Sequence, residues 1–73
     1  MQMLVTVKFF TGDSFNLEME SFYTISYLRQ KISDVILIKC HRFIFRGKQL
    51  QDEYTLAHYN ITHRDSVFAI TRS

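Results

Sequence analysis

The acidic and nucleophilic side chains of this sequence do not form a catalytic set. Cys40 and His41 place a thiol beside an imidazole, but neighbouring residues of a strand point to opposite faces, so adjacency alone makes no nucleophile–base pair. The carboxylates fall in expected turns or on the wet faces of expected strands, where no pair converges for acid–base work. These carboxylates are Asp13, Glu18, Glu20, Asp34, Asp52, Glu53 and Asp65. We therefore expect Cys40 to be a packing residue and the chain not to be an enzyme.

The sequence also lacks the spacings that are typical of metal and cofactor sites. Its soft or borderline ligands are Cys40, His41, His58 and His63. The separation of His58 and His63 is not one helical turn, and no Cys-x-x-Cys occurs. There is no glycine-rich phosphate loop. We expect neither a metal nor a cofactor.

Composition narrows the class of protein further. A chain of 73 residues is long enough for one small domain, which we take as residues 1–73. Seven Phe and four Tyr exclude a solvated disordered tail. A net charge of +2 on scattered Lys and Arg is too small to argue for nucleic acid, and we do not expect nucleic acid as a partner. One cysteine fits the cytoplasm or nucleus, and the longest apolar run, Val35–Ile38, is too short for a membrane span. We expect a monomer.

Hydrophobic periodicity predicts a sheet covered by one helix. Alternation predicts strands, and Thr24 followed by Ile25, Leu28 and Ile32 at helical spacing predicts a capped helix. The expected strands are Met1–Phe10, Phe15–Glu20, His41–Phe45, Lys48–Leu50 and Ser66–Thr71, with a helical turn at Thr55–Tyr59. The expected core is Leu17, Ile25, Leu28, Ile32, Phe43, Phe45, Leu50, Leu56, Ile61 and Val67. This order predicts an α+β domain.

Several short stretches of the sequence, spread over the whole chain, resemble ubiquitin at the same separations. They are Met1-Gln2, Leu17-Glu18, Thr24-Ile25, Phe45, Gly47-Lys48-Gln49-Leu50, Thr55-Leu56 and Tyr59-Asn60-Ile61. The resemblance implies the β-grasp fold, a mixed sheet of four to five strands with one helix packed across it. The chain departs from the family in a longer first hairpin around Lys8–Phe10 and a shorter connection after the helix, where Ile36-Leu37-Ile38 stands.

The resemblance also implies a recognition surface on the outer face of the sheet. Core residues alternate along the third and fifth strands, which turns the apolar residues between them outward. Phe10 matches a leucine of the ubiquitin hairpin, and Phe68 stands where ubiquitin has a histidine, so this surface is more apolar. The apolar patch that we expect consists of Phe10, Ile44, Phe68 and Ile70. Clustered exposed apolar side chains are typical of a contact site.

Cations are expected to surround the apolar patch. Arg42, Lys48 and Arg72 form a basic rim that favours an acidic partner and fixes its register. Lys48 also matches a lysine through which ubiquitin is extended into chains, but that role is not carried over. The resemblance implies docking on proteasome receptor subunits, on ubiquitin-binding helical domains, or on a neighbouring domain of the same protein.

The end of the sequence separates three functional hypotheses. Conjugated members of the family end in Gly-Gly, and this chain stops at Ser73 without it. We therefore expect a protein-interaction module built into a larger protein. The first alternative is a covalent modifier whose tail is absent from this sequence. The second is a ubiquitin-like domain of an RNA-processing protein, which would need a basic tail beyond Ser73.

Overall fold

Five strands and one helix make up the protein in a computed structural model that describes residues 2–36 and 40–71. For residues 36, 40 and 41 the description covers the backbone alone. The elements are β1 (Gln2–Phe9), β2 (Ser14–Glu20), α1 (Ile25–Ile36), β3 (Cys40–Phe45), β4 (Lys48–Gln49), a 3-10 helix (Ala57–Tyr59) and β5 (Ser66–Thr71). The bounds of β5 are those predicted from the sequence, and the other elements start or end within two residues of the prediction.

The strands form one mixed sheet in the order β2-β1-β5-β3-β4. β1 pairs with β2 in antiparallel register and with β5 in parallel register, and β3 is antiparallel to both of its neighbours. This arrangement confirms the predicted α+β, β-grasp fold. Within the described ranges, no helix has the length and apolar character needed to cross a membrane.

Strand alternation and helical spacing meet in one core. The inward residues of β1, such as Val5 and Val7, have no exposed surface, and neither do Ile25 and Leu28 on the inner face of α1. All ten residues predicted to form the core are buried, together with Met3, Val5, Val7, Phe9, Met19 and Ala69. One face of the sheet is thus fully occupied by the helix and loops packed on it.

Local sequence explains where the elements begin and turn. The Thr24 hydroxyl accepts a hydrogen bond from the Tyr27 backbone N–H at 3.1 Å, which confirms Thr24 as the N-cap of α1. Between β3 and β4, Arg46 (φ 52°) and Gly47 (φ 76°) both have left-handed backbone, as a tight two-residue hairpin turn requires. The Arg46 guanidinium lies 5.1 Å from the centre of the Phe45 ring.

Replacement of Phe45 tests the core assignment. Because Phe45 is buried, we expect Phe45→Ala to lower the free energy of unfolding by about 3–5 kcal/mol, a large part of the stability of so small a domain. Urea unfolding followed by circular dichroism measures this loss. An unchanged unfolding midpoint would show that Phe45 does not belong to the core.

Replacement of Thr24 tests the helix cap. We expect Thr24→Ala to lower the free energy of unfolding by about 1 kcal/mol, because the Tyr27 N–H loses its acceptor. Thr24→Ser keeps a hydroxyl and is the matched control in the same measurement. Equal losses for the two variants would contradict a capping role.

Candidate protein-binding site

Cross-strand register brings three residues of the predicted apolar patch together on the outer face of the sheet. Ile44 on β3 lies opposite Phe68 on β5, and Arg42 lies opposite Ile70. Their neighbours Phe43 and Ala69 are buried on the inner face. Since successive side chains of a strand point to opposite faces, Ile44, Phe68 and Ile70 share the outer face.

The first hairpin adds the fourth residue. The Phe9 N–H donates to the Asp13 carbonyl at 2.9 Å, and Gly12 takes the left-handed backbone (φ 96°) that the turn needs. This turn carries Phe10 over the sheet, where its ring stacks on Phe68 with 6.5 Å between centroids and 27° between planes. The longer hairpin therefore reaches the face formed by β3 and β5.

Exposure differs within the apolar patch. Phe10 is 79% exposed and Phe68 47%, whereas Ile44 and Ile70 are half-buried. Strand alternation predicts an outward Ile44, and Ile44 lies on the outer face opposite Phe68, where it is half-buried. The two phenylalanine side chains therefore protrude from the apolar patch, and the two isoleucine side chains beside them are less accessible to solvent.

Of the cations predicted to surround the apolar patch, Arg42 lies opposite Ile70 on the outer face, whereas Lys48 lies opposite the buried Phe45 on the edge strand β4. Arg42 and Lys48 are exposed, and neither has a carboxylate partner among residues 2–36 and 40–71. Arg72, the third predicted member of the rim, lies outside the described residues. Lys8 is also exposed and lies opposite Phe68 in the parallel β1–β5 register, so it extends the rim. Lys8 was not among the cations predicted from the sequence, although its outward position in the alternation of β1 was a usable signal.

The cysteine and histidine side chains considered as catalytic or metal-binding residues either make structural contacts or are not among the described side chains. The side chains of Cys40 and His41 are not among those described, so the prediction of a quiet thiol stays a prediction. No group of three or more His, Cys, Asp or Glu that could hold a metal ion occurs in the described part of the chain. His63 accepts the Leu4 backbone N–H on Nδ1 at 2.9 Å, and the ring of His58 stacks on Tyr54. Both imidazoles therefore have structural contacts.

A groove of about 580 Å³ opens at the other end of β1 from Phe10. Met3, Ile61 and His63 contribute to its wall, but the first two are buried core residues and the third is hydrogen-bonded to the backbone. Its walls are those of a gap between β1 and the loop before β5.

The fold and its outer face define a β-grasp domain with a basic-rimmed apolar surface on the sheet. The model of the Ubiquitin family matches residues 5–73. The chain therefore belongs to the ubiquitin family, as the sequence resemblance predicted. Domains of this family are typically non-catalytic.

The exposure of the apolar patch has a consequence for stability. Phe10→Ala should change the free energy of unfolding by at most about 1 kcal/mol, since the ring is mostly exposed and loses only its stacking on Phe68. Chemical denaturation of this variant beside Phe45→Ala makes the comparison. A loss as large as that of Phe45→Ala would mean that Phe10 is part of the core.

Proposed function

We propose that the protein is a non-catalytic interaction module of the ubiquitin family that docks through the apolar patch. Its partners in this proposal are helical ubiquitin-binding domains or receptor subunits of the proteasome. The observation that carries the proposal is the stacked and exposed pair Phe10–Phe68, continuous with Ile44 and Ile70 on one side of the sheet. On the opposite side of the sheet, the inward residues of the described strands are buried in the core.

The relief of the apolar patch suits a helix. An amphipathic helix presents apolar anchors at positions i, i+3 and i+4 along one stripe. The apolar stripe of a helix could pack against the side of the two protruding phenylalanine rings and over the two half-buried isoleucines next to them. The aromatic rings also supply large contact areas with little conformational freedom to lose, which favours them as anchors.

Charge around the apolar patch favours an acidic partner. Lys8 and Arg42 are exposed cations on the outer face, and Lys48 is an exposed cation on the edge strand β4. At exposed sites such charges act mainly on the association rate and on register, and added salt screens them. With so small an apolar centre, we expect a modest interface and weak, rapidly reversible binding. We place this activity in the cytoplasm or nucleus, in keeping with the single cysteine.

An NMR titration tests the proposal. The isotope-labelled domain is titrated with purified helical ubiquitin-binding domains and proteasome receptor subunits, and the amide shifts are mapped on the structure. We expect perturbations centred on residues 44, 68 and 70. Phe68→Ala and Phe10→Ala should each weaken binding by about 1–2 kcal/mol, because apolar anchors at a patch centre carry most of the energy.

Phe22→Ala is the matched control, since Phe22 is a 67% exposed phenylalanine on a different edge of the domain. It should leave the affinity for these helical partners unchanged. Lys48→Ala should slow association more than it speeds dissociation. Shifts confined to the outer side of α1, around Ser26 and Gln30, would contradict the proposal, as would an equal loss of affinity in Phe22→Ala.

A further inference from the structure

The turn between β3 and β4 contains a residue that its backbone does not favour. Arg46 (φ 52°) and Gly47 (φ 76°) are the two central residues of this hairpin, and both have left-handed backbone. Hairpin turns of this kind prefer Asn-Gly, because asparagine tolerates left-handed backbone better than most residues with a side chain. Strained residues are concentrated at functional sites, so an arginine at this position indicates a use for its side chain.

The guanidinium of Arg46 lies at the wall of a pocket beside this turn. The pocket has a volume of about 320 Å³ and is lined by Phe45, Arg46, Lys48, His58, Tyr59 and Asn60. The guanidinium lies over the Phe45 ring, 5.1 Å from its centre, and this contact restricts the long arginine side chain. The contact therefore holds a cation at the wall of the pocket before any ligand is present.

Cross-strand register places a second cation at the same pocket. Lys48 lies directly opposite Phe45 in the antiparallel β3–β4 pair. Residues directly opposite each other project to the same face of a sheet, so Lys48 is on the Phe45 side and not on the outer face with Ile44. Arg46 and Lys48 are both exposed, and within the described part of the chain neither forms an ion pair. Both cations are therefore available to a ligand.

The 3-10 helix contributes aromatic rings to the pocket. Tyr59 packs against the core, and its hydroxyl accepts the Gln51 N–H at 2.8 Å. The His58 ring is stacked on Tyr54 with 4.2 Å between ring centroids and meets Tyr59 edge-on at 5.0 Å. These contacts order the rings in advance, which lowers the entropy that is lost when a ligand binds.

The lining of the pocket is suited to an anion. None of its residues is acidic, and Asn60 adds a side-chain amide to the donors of Arg46 and Lys48. The two cations match the charge of about −2 that a phosphate monoester carries at pH 7. A guanidinium also forms paired hydrogen bonds with phosphate oxygens. The volume of about 320 Å³ is at the lower end of the range for small-ligand sites, so the pocket can hold a group larger than phosphate alone.

We propose that this pocket binds the phosphorylated tyrosine side chain of a partner protein. Arg46 and Lys48 bind the phosphate, and the phenyl ring of the ligand packs against the rings of the 3-10 helix. A phosphoserine has the same charge but no ring to pack there. A nucleic acid gains affinity from many phosphate contacts, and the lining supplies only two cations. The inference goes beyond the proposed function, because it concerns a different face of the domain and a different class of ligand.

Titration of the isotope-labelled chain with a short glycine and serine peptide that carries one phosphotyrosine tests this inference. We expect amide shifts centred on residues 46, 48, 58 and 59. The same peptide with unmodified tyrosine should not bind measurably, because it lacks the charge. The same peptide with phosphoserine should bind several-fold more weakly, because it lacks the ring.

Replacement of Arg46 separates binding from folding. Arg46→Asn introduces the residue that this hairpin turn prefers, so the urea unfolding midpoint should stay the same or rise. The affinity for the phosphotyrosine peptide should nevertheless fall about 5- to 10-fold. Lys48→Gln should weaken binding by a smaller factor, because an ammonium group does not form the paired hydrogen bonds of a guanidinium.

Arg64→Asn is the matched control for Arg46→Asn. Arg64 is also exposed, also has left-handed backbone (φ 71°) and does not line the pocket. The two variants therefore make the same chemical change and remove the same charge at equivalent backbone positions. Arg64→Asn should leave the affinity for the phosphotyrosine peptide nearly unchanged.

Four outcomes would overturn the inference. They are equal affinity for the phosphotyrosine and unmodified peptides, equal affinity for the phosphotyrosine and phosphoserine peptides, an equal loss of affinity in Arg46→Asn and Arg64→Asn, and tighter binding of a single-stranded oligonucleotide at the same residues. Phe10→Ala separates this inference from the proposed function, because it should weaken a helical partner and leave the phosphotyrosine peptide unaffected. Arg46→Asn should have the opposite pair of effects.

Discussion

The parallel pairing of β1 with β5 at the centre of the sheet is the constraint on which the rest of the structure depends. Val7 lies opposite Val67, and both are fully buried under α1. Once these residues face the core, the pleat turns Lys8 and Phe68 to the other side. The apolar patch and its cations are therefore geometric consequences of how the core is filled, and the sheet cannot lose them by a shift of register without exposing its core.

Structural features that depend only on residues close together in the sequence could be predicted from it. The alternation in β5, the helical spacing after Thr24 and the cap itself are local patterns, and the ten expected core residues are all buried. Features that depend on register between distant segments could not. The stacking of Phe10 on Phe68, the half-burial of Ile44 and the place of Lys8 all require knowing which residues of β1, β3 and β5 lie side by side.

The direction of β1 and β5 also decides how the domain responds to mechanical load. A pull on the start of β1 against the end of β5 draws two neighbouring parallel strands past each other, so their paired residues, from Thr6–Ser66 to Phe9–Ala69, share the load at once. A hairpin pulled from its open end yields one pair at a time instead. Forced unfolding is governed by the height of the barrier to opening, and shearing a central pair of strands sets that barrier high. A partner or a molecular machine that pulls along this axis would therefore need a higher force to unfold the domain than one that pulls a hairpin open.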